Sequence, residues 1–86
     1  MEKSELKEIK ARANEIKPVF NIGKSGISQT LVEAIEDYLT KNSIAKIKVL
    51  SALDKNQVAY YADEIAKETD SVVIEKKGFT FVLYRE

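Results

Sequence analysis

The spacing of apolar residues along this chain switches repeatedly between a helical and a strand period, and each switch marks the border of an element. Leu6, Ile9, Ala13 and Ile16 fall three or four apart, which predicts a helix over residues 4–15 with Ser4 placed to cap its start. Lys17-Pro18 ends it, because a residue before proline is pushed out of the helical region. Residues 18–22 (PVFNI) then read as a short strand with proline at its first position, where a strand tolerates one. After a turn at Gly23 to Gly26, Ser28 can cap a second helix running to about Thr40. Its apolar stripe is Leu31, Val32, Ile35 and Leu39, and Asn42 can serve as a left-handed stop.

Residues 43–51 (SIAKIKVLS) alternate, so Ala45, Ile47 and Val49 point one way and Lys46 and Lys48 the other, as in a strand with one wetter face. Asp54 and Gln57 form a capping-box variant that opens a third helix, running to about Thr69 with Val58, Tyr61, Ala62, Ile65 and Ala66 inward. Residues 71–76 are a strand and Lys77-Gly78 a turn. Residues 79–85 form a last strand with Phe79, Phe81 and Leu83 on one side. The order is therefore α-β-α-β-α-β-β. Alternating helices and strands imply right-handed crossovers, so the expected class is α+β, a two-layer α/β arrangement of three helices and a four-stranded mixed sheet.

A chain of 86 residues can bury one core, so residues 1–86 are expected to form a single domain. Hydrophobic residues make up 44% and charged residues 33%, and no apolar run has the roughly 18 residues that a membrane span needs. The start, MEKSELKEIK, carries no apolar signal core. These features favour a cytoplasmic protein without membrane contact. The chain has no cysteine and no histidine, which removes disulfides, thiolates, the usual general base and the commonest zinc ligand. The carboxylate pairs Glu36-Asp37 and Asp63-Glu64 are sequence neighbours on helices and do not face each other. No catalytic or metal-binding residue, cofactor or small-molecule substrate is expected, and the chain does not read as an enzyme.

Formal net charge is zero, but the charges are unevenly placed. Lys41, Lys46 and Lys48 lie in a stretch without acids, as do Lys17 and Lys24, whereas Glu33, Glu36, Asp37, Asp63, Glu64, Glu68 and Asp70 gather on the second and third helices. A neutral total can hide one basic face. The segment Gly23-Lys24-Ser25-Gly26 is the point where chemistry could concentrate. A nucleotide-binding P-loop is excluded, since its first glycine would fall at position 18 and that residue is Pro18. A GxxG turn between strand and helix remains: its glycines let a backbone approach, Lys24 adds charge, Ser25 a hydroxyl, and the following helix start favours phosphate. Taken alone, such a quartet reads better as a plain structural turn. Lys46, Lys48, Lys76, Lys77 and Arg85, on the strands and hairpin, could extend it into a basic track.

With those residues in view, the sequence resembles the CRM domain family (chloroplast RNA splicing and ribosome maturation) in its stand-alone, YhbY-like prokaryotic form. The likeness runs through Leu6 and the first helix, Lys17-Pro18-Val19, residues 22–28 (IGKSGIS), Ile35, Leu39, residues 44–49 (IAKIKV) and residues 77–85 (KGFTFVLYR). It implies a fold similar to the C-terminal domain of a bacterial translation initiation factor. It also implies an RNA-binding module associated with ribosomal RNA or its precursor, and with the pre-ribosomal large subunit. The family's GxxG loop falls on Gly23, Lys24, Ser25 and Gly26, and its strand lysines on Lys46 and Lys48. Ser43-Ile44-Ala45-Lys46 departs from the family's usual acidic start to this strand, and the neutral charge leaves room for a protein-interaction adaptor instead. Tyr84 has two readings, an exposed stacking ring or an inward ring closing the sheet.

Overall fold

The computed structural model describes residues 3–23, 26–50 and 54–85, with the side chains of Lys3 and Ser4 outside that description. The strongest alternation in the chain becomes β2 (Ile44–Val49), in which Ala45, Ile47 and Val49 are buried on one side. Around it lie α1 (Lys3–Glu15), β1 (Phe20–Ile22), α2 (Gln29–Asn42), α3 (Lys55–Thr69), β3 (Val72–Lys77) and β4 (Thr80–Tyr84). The strand order is β1-β2-β4-β3, with β1 parallel to β2 and β4 antiparallel to both its neighbours. The last strand thus enters the middle of the sheet, because Phe81, Val82 and Leu83 in succession demand burial on both faces. The edges fall to strands suited to them: short β1 behind Pro18, and β3 with its lysines and a bulge between Val73 and Glu75.

Each face has its own apolar cluster. On one, Ile22, Ala45, Ile47, Val49, Phe81 and Leu83 pack against Ile35 and Leu39 of α2 and Val58, Ala62 and Ile65 of α3. Each fully buried aliphatic or aromatic side chain there contributes roughly 1.5–3 kcal/mol. On the other face, Ile44, Ile74 and Val82 meet Ile9 and Ala13 of α1. The expected two-layer α+β core is present, and α1 adds a partial layer over the second face. The Leu6, Ile9, Ala13, Ile16 stripe serves that smaller cluster. Among the described residues, no helix is long and apolar enough to cross a membrane.

Helix ends follow local chemistry. Ser28 accepts from the Leu31 amide and Asp54 from the Gln57 amide, as their positions predicted. The left-handed residue after α2 is Ser43 (φ 66°) and not Asn42, which stays helical and donates its side-chain amide to the Tyr38 carbonyl at 3.2 Å. Phe79, expected on the core side of the last strand, is instead 44% exposed, because the hairpin turn at Gly78 (φ +60°) holds it beyond the sheet. β1 starts at Phe20, although the Val19 amide already donates to the Lys46 carbonyl at 2.9 Å.

Asp70 closes α3 in the left-handed region (φ 52°, ψ 47°), and it sets a carboxylate at the negative end of the helix. Asp70→Gly relieves both penalties, so the denaturant midpoint should rise by the equivalent of about 0.5 to 1 kcal/mol.

Candidate nucleic-acid interface

Alternation and register decide which side chains share the face that α1 only partly covers. On β2, Ile44, Lys46 and Lys48 point to this face, opposite the buried Ala45, Ile47 and Val49. Lys48 pairs with Asn21 of β1 and Thr80 of β4, and Thr80 pairs with Lys77 of β3. A polar row, Asn21–Lys48–Thr80–Lys77, therefore crosses all four strands. Thr80 is half-buried and the other three side chains are exposed. The Leu50 amide donates to the Ile22 carbonyl and the Val49 amide to that of Phe79, so the row lies beside the end of β1 and the hairpin tip. That is the end from which the Gly23 to Gly26 turn leaves the sheet.

The adjacent row toward α1 holds Lys46, Val82 and Glu75. With Asn14, Lys77 and Thr80 these residues line an open groove of about 340 Å³ between the sheet and the end of α1. Lys46 is half-buried there, and its Nζ donates to the carbonyls of Ala13 (3.2 Å) and Ile16 (3.3 Å). It is thus a cation capping the last turn of α1, where orphan carbonyls and the helix dipole favour positive charge. Its charge faces the groove from a fixed position.

At the glycine turn, the Gly26 amide donates to the Gly23 carbonyl at 3.0 Å, and Gly26 has φ +68°. The Tyr61 hydroxyl of α3 lies 3.8 Å from where a Cβ on Gly26 would stand, whereas a Cβ on Gly23 would meet nothing within 4 Å. Tyr61 makes an edge contact with Tyr60 (centroids 5.8 Å apart), and Tyr60 is 61% exposed. Lys24 and Ser25, the expected tip of the turn, lie outside the described residues.

Two of the remaining expected site residues lie away from this surface. Lys76 pairs with Phe81 and so leaves β3 on the other side of the sheet, exposed at the edge. Arg85 sits at the opposite end of the sheet, its guanidinium turned inward. Nη1 donates to Glu36 Oε1 (2.6 Å) and the Thr69 carbonyl (2.8 Å), and Nη2 to the Glu36 carbonyl (3.2 Å) and Thr40 Oγ1 (2.5 Å). Its side chain is 20% exposed and joins the ends of α2 and α3 to the chain terminus. Tyr84 takes the inward reading, packed against the α1 cluster. The surface gains Asn14, Asn21, Glu75 and Thr80, none of which the sequence pattern singled out. Their shared position depends on cross-strand register, for which no local signal exists.

The architecture defines a class: a small mixed sheet with its last strand in the middle and a polar, lysine-bearing end beside a glycine turn. The chain belongs to the CRS1 / YhbY (CRM) domain family, whose model matches residues 1–85. It is 30% identical over 80 residues to the Bacillus subtilis protein named "Probable RNA-binding protein YqeI", covering 91% of this chain and 80% of that one. A Haemophilus influenzae protein named as RNA-binding is 29% identical over 77 residues, covering 90% of this chain and 77% of that protein. The solution structure of a hypothetical Staphylococcus aureus protein, described as a candidate RNA-binding protein, superposes with a TM-score of 0.80 at 28% identity. That match covers 94% of this chain and 83% of the other.

The clasp and the cap should show in stability. Arg85→Lys keeps the charge but loses the fork, and should lower the unfolding free energy by about 2 to 3 kcal/mol. Lys46→Met should cost about 1 kcal/mol through the uncapped end of α1, and Lys48→Ala less than about 0.5 kcal/mol. Chemical denaturation of the three variants checks this order.

Proposed function

We propose that this chain is a non-catalytic RNA-binding protein of the cytoplasm that associates with precursors of large-subunit ribosomal RNA during ribosome assembly. The observation that carries the reading is the uncovered Asn21–Lys48–Thr80–Lys77 row beside the glycine turn. Phosphates of the RNA backbone meet Lys48 and Lys77, with Lys46 held behind them, and the turn admits the backbone closely. Gly23 supports this, since among the described residues neither a positive φ nor crowding of a Cβ calls for glycine there. Lys24 and Ser25 extend the contact at the tip of the turn, and Lys76 adds charge at the hairpin edge. Arg85 serves the fold. The names of the relatives agree with RNA as the partner class.

A surface of three or four lysines binds modestly and with limited salt dependence. The slope of log affinity against log salt should be about −2 to −3 with single-stranded RNA, and the pair Lys48→Ala, Lys77→Ala should flatten it by about 1.4. An unchanged slope in the double variant would remove the row from the interface.

A second reading, a protein-interaction adaptor, is favoured by the exposed acids Glu33, Asp37, Asp63 and Glu68 on α2 and α3. Gradient sedimentation of lysate with and without ribonuclease separates the two. Release of the protein to the top of the gradient after digestion is the outcome expected for RNA binding, and persistence in a large complex is that expected for the adaptor.

A further inference from the structure

Glu75 is out of place on a surface that attracts phosphate. It is half-buried in the groove between Lys46 and Lys77, where its carboxylate would repel a phosphate brought in by either lysine. It does not neutralise them as an ion pair: the salt bridges among the described residues are Lys67–Glu64 and Arg85–Glu36. Nor is its position an accident of alternation. The bulge between Val73 and Glu75 inserts an extra residue, so that Ile74 packs under α1 and Glu75 also turns to this face, opposite Val82. Bulges of this kind re-aim a side chain.

A carboxylate only accepts hydrogen bonds, so its counterpart must donate. The other groove groups are lysine ammonium donors and the Asn14 and Thr80 side chains, which can do either. On a nucleic-acid backbone phosphates and ring oxygens accept, and the donor is the 2′-hydroxyl of ribose. A groove of about 340 Å³ falls at the lower end of ligand-site volumes, roughly 300–1,000 Å³, and suits one sugar with its phosphate.

We infer that Glu75 accepts a hydrogen bond from a ribose 2′-hydroxyl in this groove, while Lys77 and the fixed charge of Lys46 hold the adjoining phosphate. The groove thereby distinguishes RNA from DNA on the backbone alone. This rests on the RNA-binding reading above and adds to it the group that makes the partner RNA.

The test uses single-stranded RNA, 2′-O-methyl RNA and DNA of one sequence, with affinities measured at fixed salt. The wild-type protein should prefer RNA to both others by about tenfold, the scale of one hydrogen bond to a charged group. Methylation removes the donor while keeping the ribose, so this comparison needs no variant. Glu75→Ala should abolish the preference, and Glu75→Gln, whose amide oxygen still accepts, should keep part of it. If Glu75 merely tempers the lysines, both variants will bind RNA and DNA more tightly by one common factor, and the inference is overturned. RNA binding by the wild type with no preference over DNA overturns it while leaving the RNA-binding reading intact. Binding of neither nucleic acid overturns both.

Discussion

The run Phe81-Val82-Leu83 constrains everything else in this fold. Three consecutive apolar side chains in a strand must be buried on both faces, so β4 cannot lie at an edge and the β3–β4 hairpin inserts its second strand beside β2. Phe81 and Leu83 then require the α2/α3 layer, and Val82 requires α1. Because Ile9 and Ala13 are the buried contacts that α1 offers among its described residues, its cover stops short. The strip it leaves bare is where the polar residues of four strands align.

Charge in this molecule is sorted more than it is abundant. A formal total of zero is inconsistent with indiscriminate coating of nucleic acid, yet the open strip carries Lys48 and Lys77 while Glu33, Asp37, Asp63 and Glu68 are exposed on the helices. Of two further cations that look equivalent in sequence, Arg85 serves the fold alone, whereas Lys46 serves it while still lining the groove. Lys46 completes the end of α1, and Arg85 ties α2 and α3 to the last strand through four hydrogen bonds. Long basic side chains reach backbone carbonyls as readily as solvent, and a carbonyl that already accepts one hydrogen bond keeps a second lone pair to offer.

The legible part of the structure was local. Ser28 and Asp54 cap their helices because capping depends on residues three apart, and the face assignment of β2 followed from alternate positions. The misplaced left-handed residue shows the grain of such reasoning: Asn42 and Ser43 are neighbours, and the helix simply ran one residue further. Of the residues on or beside the polar surface, Lys48, Lys77 and the glycine turn stood out in the sequence, whereas Asn21, Thr80 and Glu75 did not. Asn21 and Thr80 matter only as partners of Lys48, at sequence separations of 27 and 32 residues, and Glu75 only through a bulge that breaks the period of two.

By itself the sequence determined the order of the elements, the apolar sides of the helices and of β2, and the absence of histidine, cysteine and a P-loop glycine. Those features are set by residue identity and by spacing within a turn or a strand. Tertiary structure decided which lysines remain available and which are held, and it brought one acid into their midst. The reason is physical: a side chain's partners are chosen by strand register and by which helix end passes nearby, and both are settled only when distant segments pack.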